Sequence, residues 1–185
     1  MLARIDAVAT TDVALSVSDL TVSLPLDMER QYAVENLSFD LKRGQILCII
    51  GESGSGKSVT ANAIMGLLPK VIRVTGGAID LEGRSIMGLP AGELRSLRGR
   101  VVSMIFQDPI SSLNPRRTVT DIVAEPLNIW NTGTVAERKA KAMSTLADVG
   151  VDPAAAGERK PHEFSGGQCQ RISIARAVIT DPKLI

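Results

Sequence analysis

Apolar and polar residues alternate along 13–24 (VALSVSDLTVSL) and again along 33–41 (AVENLSFDL), which predicts half-buried strands with Val34, Leu37, Phe39 and Leu41 turned to a core. The run 45–50 (QILCII) does not alternate and predicts a strand buried on both faces. Residues 59–65 (VTANAIM) then read as a helix that ends near Pro69, since proline cannot continue one. Gly76-Gly77 opens a short strand, 78–81, and Glu82-Gly83 closes it; 90–97 is a short helix with proline in its first turn. A second apolar run, 101–106 (VVSMIF), predicts another buried strand. From 108 to about 164 the chain changes to proline-punctuated helix. There Val135, Met143, Leu146 and Val149 fit one helix face and Gly150 fits a C-cap. Gly166–Ile179 reads as a helix entered through glycines, with Ile172, Ala175 and Ile179 on one face. Strands first, then a mixed core, then a helical insertion: the class is α/β.

Composition narrows the function more than the fold. The chain has 185 residues, enough for one domain or one and a half small ones. With 44% hydrophobic and 22% charged residues it is an ordinary globular sequence, and with 3% aromatic its core must be aliphatic. A net charge of +1 gives no electrostatic reason to expect a nucleic-acid partner. Cys48 and Cys169 lie far apart without Cys-x-x-Cys spacing, so neither a zinc site nor a disulfide framework is expected, and a reducing cytoplasm fits. No apolar run approaches the roughly 20 residues that span a bilayer. The N-terminal MLARIDAVATTD lacks the apolar centre of a signal peptide, so any work at a membrane is expected to go through a partner.

The sharpest chemical signal is Gly51-Glu52-Ser53-Gly54-Ser55-Gly56-Lys57-Ser58, which fits the phosphate-binding P-loop pattern G-x-x-x-x-G-K-[ST]. It has the flanks such a loop needs, an apolar strand-like run before it and a helix-like run after it. Gly51, Gly54 and Gly56 let the backbone turn so that successive N–H groups face one phosphate. The helix N-terminus adds partial positive charge there. Lys57 is expected to reach the β- and γ-phosphates, and the Ser58 hydroxyl to ligate Mg²⁺. These residues call for a nucleoside triphosphate.

A second anion-site candidate follows about a hundred residues later, Phe164-Ser165-Gly166-Gly167-Gln168: a serine and two unobstructed glycine amides at the start of a helix. Ser165 could equally be a plain N-cap. Together with the P-loop, the set resembles the nucleotide-binding subunit of ATP-binding cassette (ABC) transporters, whose signature is L-S-G-G-Q; here Phe164 stands for the leucine. Between the two motifs lies Phe106-Gln107-Asp108-Pro109, at the place of that family's Q-loop. The strings FQDPISSLNP and PHEFSGGQCQR are similar to the oligopeptide/dipeptide importer branch, which shares much of its pattern with nickel and glutathione importers. The resemblance runs from about residue 13 to Ile185. VTANAIMGLLP is similar to one of the branch's paired ATPase subunits, whereas Gly167-Gln168-Cys169-Gln170 is similar to the other or to a fused two-cassette protein.

The resemblance implies a P-loop NTPase core of the ABC ATPase type, with an antiparallel β subdomain, a helical insertion and the C-terminal part of the core missing. The implied organisation is residues 13–107 for the N-terminal core and β subdomain, 108–164 for the helical subdomain, and 165–185 for the signature helix and its return to the core. ATP and Mg²⁺ are the implied cofactors, with Ser58 and Gln107 at the metal. Two cassettes would sandwich ATP head to tail, so that Gly51–Ser58 of one faces Ser165–Gln168 of a second ABC ATPase subunit. Membrane permease subunits and, indirectly, an extracytoplasmic solute-binding protein are the further implied partners, which puts the chain at the cytoplasmic face of the membrane. The Walker B aspartate, catalytic glutamate and switch histidine of the family have no counterpart up to Ile185. No catalytic residue is therefore expected within the chain, and it is expected to be poorly stable and inactive alone, with unpaired apolar edges at Ile46–Ile50. His162 precedes the signature and is read as structural, and Tyr32 as a strand-edge residue or an adenine-stacking one. The rivals are an inactive cassette that only pairs with a complete partner, a soluble ABC ATPase of DNA repair or translation, and a simple P-loop kinase, which would leave the signature unexplained.

Overall fold

The computed structural model describes residues 12–185, so nearly all of the N-terminal stretch read against a signal peptide lies outside the described residues. The chain divides between Arg95 and Ser96 into two compact units.

The first unit is built on a four-stranded antiparallel sheet in the order β2-β1-β3-β4, with β1 Val13–Ser23, β2 Tyr32–Lys42, β3 Arg73–Leu81 and β4 Arg84–Ser85. The alternation in β1 slips by one residue at Ser18-Asp19, and the strand absorbs the slip as a bulge. Asp19 takes φ 48, and its pairing shifts register against both neighbours. The extra residue keeps Leu15, Val17, Leu20 and Val22 all buried, where an unbulged strand would turn the last two outward. On β3 the bulge leaves no room for a side chain at Gly77, whose φ is 86 and whose added Cβ would lie 2.4 Å from the Ser18 carbonyl. Glu82 and Gly83, at φ 53 and 74, form the two-residue turn into β4, as the all-positive φ of such hairpins requires. β3 starts at Arg73, five residues before the expected 78: the left-handed Gly77 is carried inside the strand as part of the bulge instead of opening it.

Three expectations for this unit need correction. Leu37, Phe39 and Leu41 are half-buried, and of the β2 positions expected in the core Val34 is buried. The run 45–50 forms no strand; Ile46 and Ile50 are 97% and 90% exposed. Apolar character alone cannot make a strand, because a ladder needs a partner for its N–H and C=O groups. The helix after the P-loop, α1 (Lys57–Ile64), ends before Pro69. Its stop is Gly66 at φ 60, where Gly66 N–H bonds Ala63 (3.0 Å) and Leu67 N–H bonds Asn62 (2.8 Å), a glycine C-terminal motif. The unit boundary falls within α2 (Ala91–Leu97).

The second unit is helical: α3 Pro109–Ser112, α4 Val119–Ile129, α5 Val135–Asp148, α6 Pro153–Ala156, a 3₁₀ turn Pro161–Glu163 and α7 Gly166–Val178. Val119, Ile122, Val123, Leu146, Cys169, Ile172, Ala175 and Ile179 belong to one aliphatic core. Thr134 and Glu137 cap α5 reciprocally, and the two hydrogen bonds Glu137 receives from Thr134 hold its carboxyl below the ordinary range. Gly150 at φ 73 closes α5, as expected from the sequence. Val135 is exposed, since it sits in the first turn of α5 while the buried positions are Ala142, Thr145 and Leu146. The expected strand 101–106 is reduced to Val102, which bridges in parallel to Arg98 and Leu184.

Candidate functional site

Two sets of residues carry the chemistry singled out in the sequence, and they fall in different units. In the first unit, residues 51–56 form an irregular loop that delivers Lys57 as the first residue of α1. Gly54 and Gly56 take φ 80 and 94, and Ser55 N–H closes a turn onto the Glu52 carbonyl at 3.2 Å. A Cβ on Gly51 would come within 2.6 Å of Ser55 Oγ, and one on Gly56 within 2.4 Å of the Ala33 carbonyl in β2. The glycines therefore have steric work inside the chain: Gly51 lets the loop close on itself, and Gly56 lets it press against the sheet. The Gly56 carbonyl accepts from Thr60 through both its N–H (2.8 Å) and its hydroxyl (3.1 Å), so the buried Thr60 is satisfied. Lys57 folds back over the loop, with Nζ donating to the Gly51 carbonyl (2.6 Å), the Glu52 carbonyl (2.7 Å) and Ser55 Oγ (3.2 Å). All three donors of the ammonium are thus engaged by the loop itself. Glu52, Ser53, Gly54, Ser55 and Ser58 are exposed, and Ser58 stands in the first turn of α1. A cation held inside a ring of exposed backbone at a helix N-terminus suits a polyphosphate, and a hydroxyl beside it suits Mg²⁺.

In the second unit Gln107 is an exposed loop residue ahead of α3. Asp108 follows as the N-cap, accepting from Ile110 N–H (3.1 Å) and Ser111 N–H (3.3 Å). Its hydrogen bonds with Ser111, and then that from Ile110, hold the carboxyl below the ordinary range. The loop after Gln107 is fixed to α7: Arg176 donates to the Ser112 carbonyl at 2.7 Å, and the Ser112 and Ser173 hydroxyls lie 3.3 Å apart. Burial lowers the pKa of Arg176, with Glu125 opposing. Ser165 caps α7, its Oγ accepting from Gln168 N–H (3.3 Å) while Gln168 Oε1 accepts from Ser165 N–H (2.9 Å). The N-cap role weighed for Ser165 is therefore present. It does not account for Gly166 and Gly167, which have no positive φ and would meet nothing within 4 Å if they carried a Cβ. His162 is exposed in the 3₁₀ turn, and Tyr32 is half-buried at the start of β2 opposite Ser23. Sequence reasoning missed Arg30, which donates to the Gly54 carbonyl at 2.7 Å, and Arg176; neither lies in a motif that would have drawn attention to it.

A family model described as ABC transporter matches residues 34–185. The chain belongs to the ABC transporter family. It is 46% identical over 153 residues to the oligopeptide transport ATP-binding protein AppF of Bacillus subtilis, covering 83% of this chain and 45% of that protein. It is 41% identical over 185 residues to OppF of Salmonella typhimurium, also an oligopeptide transport ATP-binding protein, covering 94% of this chain and 53% of that one. Against the peptidoglycan transport ATP-binding protein YejF of Agrobacterium fabrum it is 41% identical over 177 residues, 95% of this chain and 32% of the relative. The chain thus spans about half or less of the length of these curated relatives. Among solved structures it resembles the ATP-binding cassette MJ0796, in a dimeric post-hydrolysis state bound to ADP and Pi, with a TM-score of 0.79 and 29% identity over 91% of this chain and 70% of that one. The fold is the ABC cassette fold with an antiparallel sheet and a helical region, in the class expected from the sequence. Among the described residues no helix is long and apolar enough to cross a membrane, and no group of three or more His, Cys, Asp or Glu side chains could hold a metal ion.

Proposed function

We propose that the chain is the ATP-binding part of an ABC importer subunit for oligopeptides, dipeptides or related small solutes. The observation that carries this is the loop 51–58, with Lys57 donating to the Gly51 and Glu52 carbonyls and the left-handed Gly56 pressed against Ala33. In this reading Lys57 and the backbone amides of the loop bind the β- and γ-phosphates of ATP. Ser58 and Gln107 present oxygens to Mg²⁺, which when bound offsets phosphate charge. The open amides of Gly166 and Gly167 receive the phosphate of a nucleotide held by a second cassette, for which a dimeric relative bound to ADP and Pi is the supporting precedent. Peptide import is supported by the names of the relatives AppF and OppF, and membrane permeases would be the partners to which the segment after Gln107 transmits movement.

The test is equilibrium binding of ATP with Mg²⁺ to the chain and to Lys57→Ala. Removing the ammonium is expected to reduce affinity at least about tenfold, the loss of a charge-assisted contact, without changing the circular dichroism spectrum. Equal affinity of the two would refute the assignment of the loop. Co-purification of the ATP-binding protein carrying this cassette with membrane permease subunits, and their absence from the eluate, would respectively support and overturn the importer assignment.

A further inference from the structure

The segment between β1 and β2 is closed by Leu24 N–H on the Gln31 carbonyl (2.9 Å), with an inner turn from Met28 N–H to the Pro25 carbonyl (3.1 Å). Arg30 lies just inside that closure, and its Nη2 donates to the Gly54 carbonyl at 2.7 Å. Three residues on, the backbone of Ala33 and the side chain of Val34 abut Gly56. One short stretch, Arg30 to Val34, therefore holds both left-handed glycines of the phosphate loop.

Two physical consequences follow. The Gly54 carbonyl and the Ser55 N–H share a rigid peptide plane, so pinning the carbonyl fixes the turn in which Ser55 N–H meets Glu52. The second consequence is electrostatic. Within 51–58 the charged side chains are Glu52 and Lys57, which cancel, and a guanidinium that stays charged at any working pH makes the surroundings cationic. The carbonyls of Gly51, Glu52 and Gly54, whose negative ends would otherwise oppose an anion, are each covered by Lys57 or Arg30.

We propose that Arg30 is a positioning residue for the nucleotide polyphosphate, acting through the Gly54 carbonyl; this rests on reading 51–58 as the nucleotide site. Its effect is on anions: it should strengthen ATP and ADP binding and leave adenosine unaffected. The experiment is calorimetric titration of Mg-ATP, Mg-ADP and adenosine into the chain, Arg30→Met, Arg30→Lys and Lys57→Ala, at two salt concentrations. Arg30→Met is expected to weaken ATP and ADP about fivefold, the size of one net hydrogen bond. It should also flatten the salt dependence and leave adenosine within twofold. Arg30→Lys, which keeps the charge, should recover most of the loss. Arg30 is exposed, so melting without nucleotide should match the wild type for both variants. ATP affinity of Arg30→Met within twofold of wild type, while Lys57→Ala loses binding, would overturn the role of Arg30. So would a loss that falls equally on adenosine. Unchanged ATP binding by Lys57→Ala would instead overturn the nucleotide reading of the loop.

Discussion

Gly166 and Gly167 open α7 in ordinary helical geometry, and nothing within 4 Å would meet a Cβ at either. Glycine is a poor helix residue, costing roughly 0.5–1 kcal/mol relative to alanine in a helix interior and less in its first turn. If these glycines have no task inside the chain, replacing both with alanine should stabilise it by about 1 kcal/mol, partly by restricting the unfolded chain. In a chain of this size that is a rise in Tm of about 2–4 °C. The capping box of Ser165 and Gln168 involves backbone N–H groups and side chains that the substitution leaves in place. Differential scanning calorimetry of wild type, both single variants and the double variant measures the effect. A fall in Tm would refute the reasoning, because it would mean that the glycines serve a contact within the chain. The second half of the prediction is functional: the same double variant should lose ATP-dependent pairing with a second cassette, measured by light scattering, since two methyl groups would stand between the helix N-terminus and the partner's phosphate.

The glycines of the phosphate loop should behave oppositely. Gly56→Ala forces a Cβ to 2.4 Å from the Ala33 carbonyl at φ 94 and should cost more than about 2 kcal/mol, whereas Gly54→Ala, at φ 80 but in open space, should cost about 1 kcal/mol, both read from urea midpoints. Arg176→Met should destabilise by about 1–2 kcal/mol and speed amide exchange in 109–113, because the Ser112 carbonyl loses its donor. Glu137 has a folded pKa below its ordinary 4.5, so its contribution is present above that value and lost as pH falls through the lower folded value. The stability gap between wild type and Glu137→Gln should therefore be full at pH 7 and shrink below about pH 4.5, and a gap independent of pH would contradict the capping argument.

How far the sequence could be read depended on whether each signal was self-contained. β1 and β2 were legible because alternation is written along one strand, although the one-residue slip at Asp19 showed only once its partners on β2 and β3 were known. Residues 45–50 and 101–106 misled because an apolar run shows that burial is favourable without naming what pairs with it. Of these runs, Val102 alone is bridged. Helix ends written in local chemistry, Thr134 with Glu137 and Gly150, were readable; the end of α1 went to Gly66 because a left-handed glycine stops a helix before a later proline can. The motif residues were legible because spacing defines them. Arg30 and Arg176 were not, since each matters through one carbonyl far away in sequence.

The two glycine motifs look alike as strings, and the structure separates them. At Gly56 a methyl group would strike the Ala33 carbonyl at a left-handed φ, and Gly54 is left-handed too, so glycine there is demanded by the chain's own backbone, whatever the loop binds. At Gly166 and Gly167 the chain demands nothing, and glycine carries a stability cost with no return inside it. A cost without an internal return is expected where a site must admit something from outside. In the proposed function that something is a phosphate held by a second cassette. The phosphate loop is then a site the chain builds for itself, and the signature helix is half of a site that needs another molecule to complete it. The alanine substitutions test that difference directly, because they should lower stability at Gly54 and Gly56 and raise it at Gly166 and Gly167.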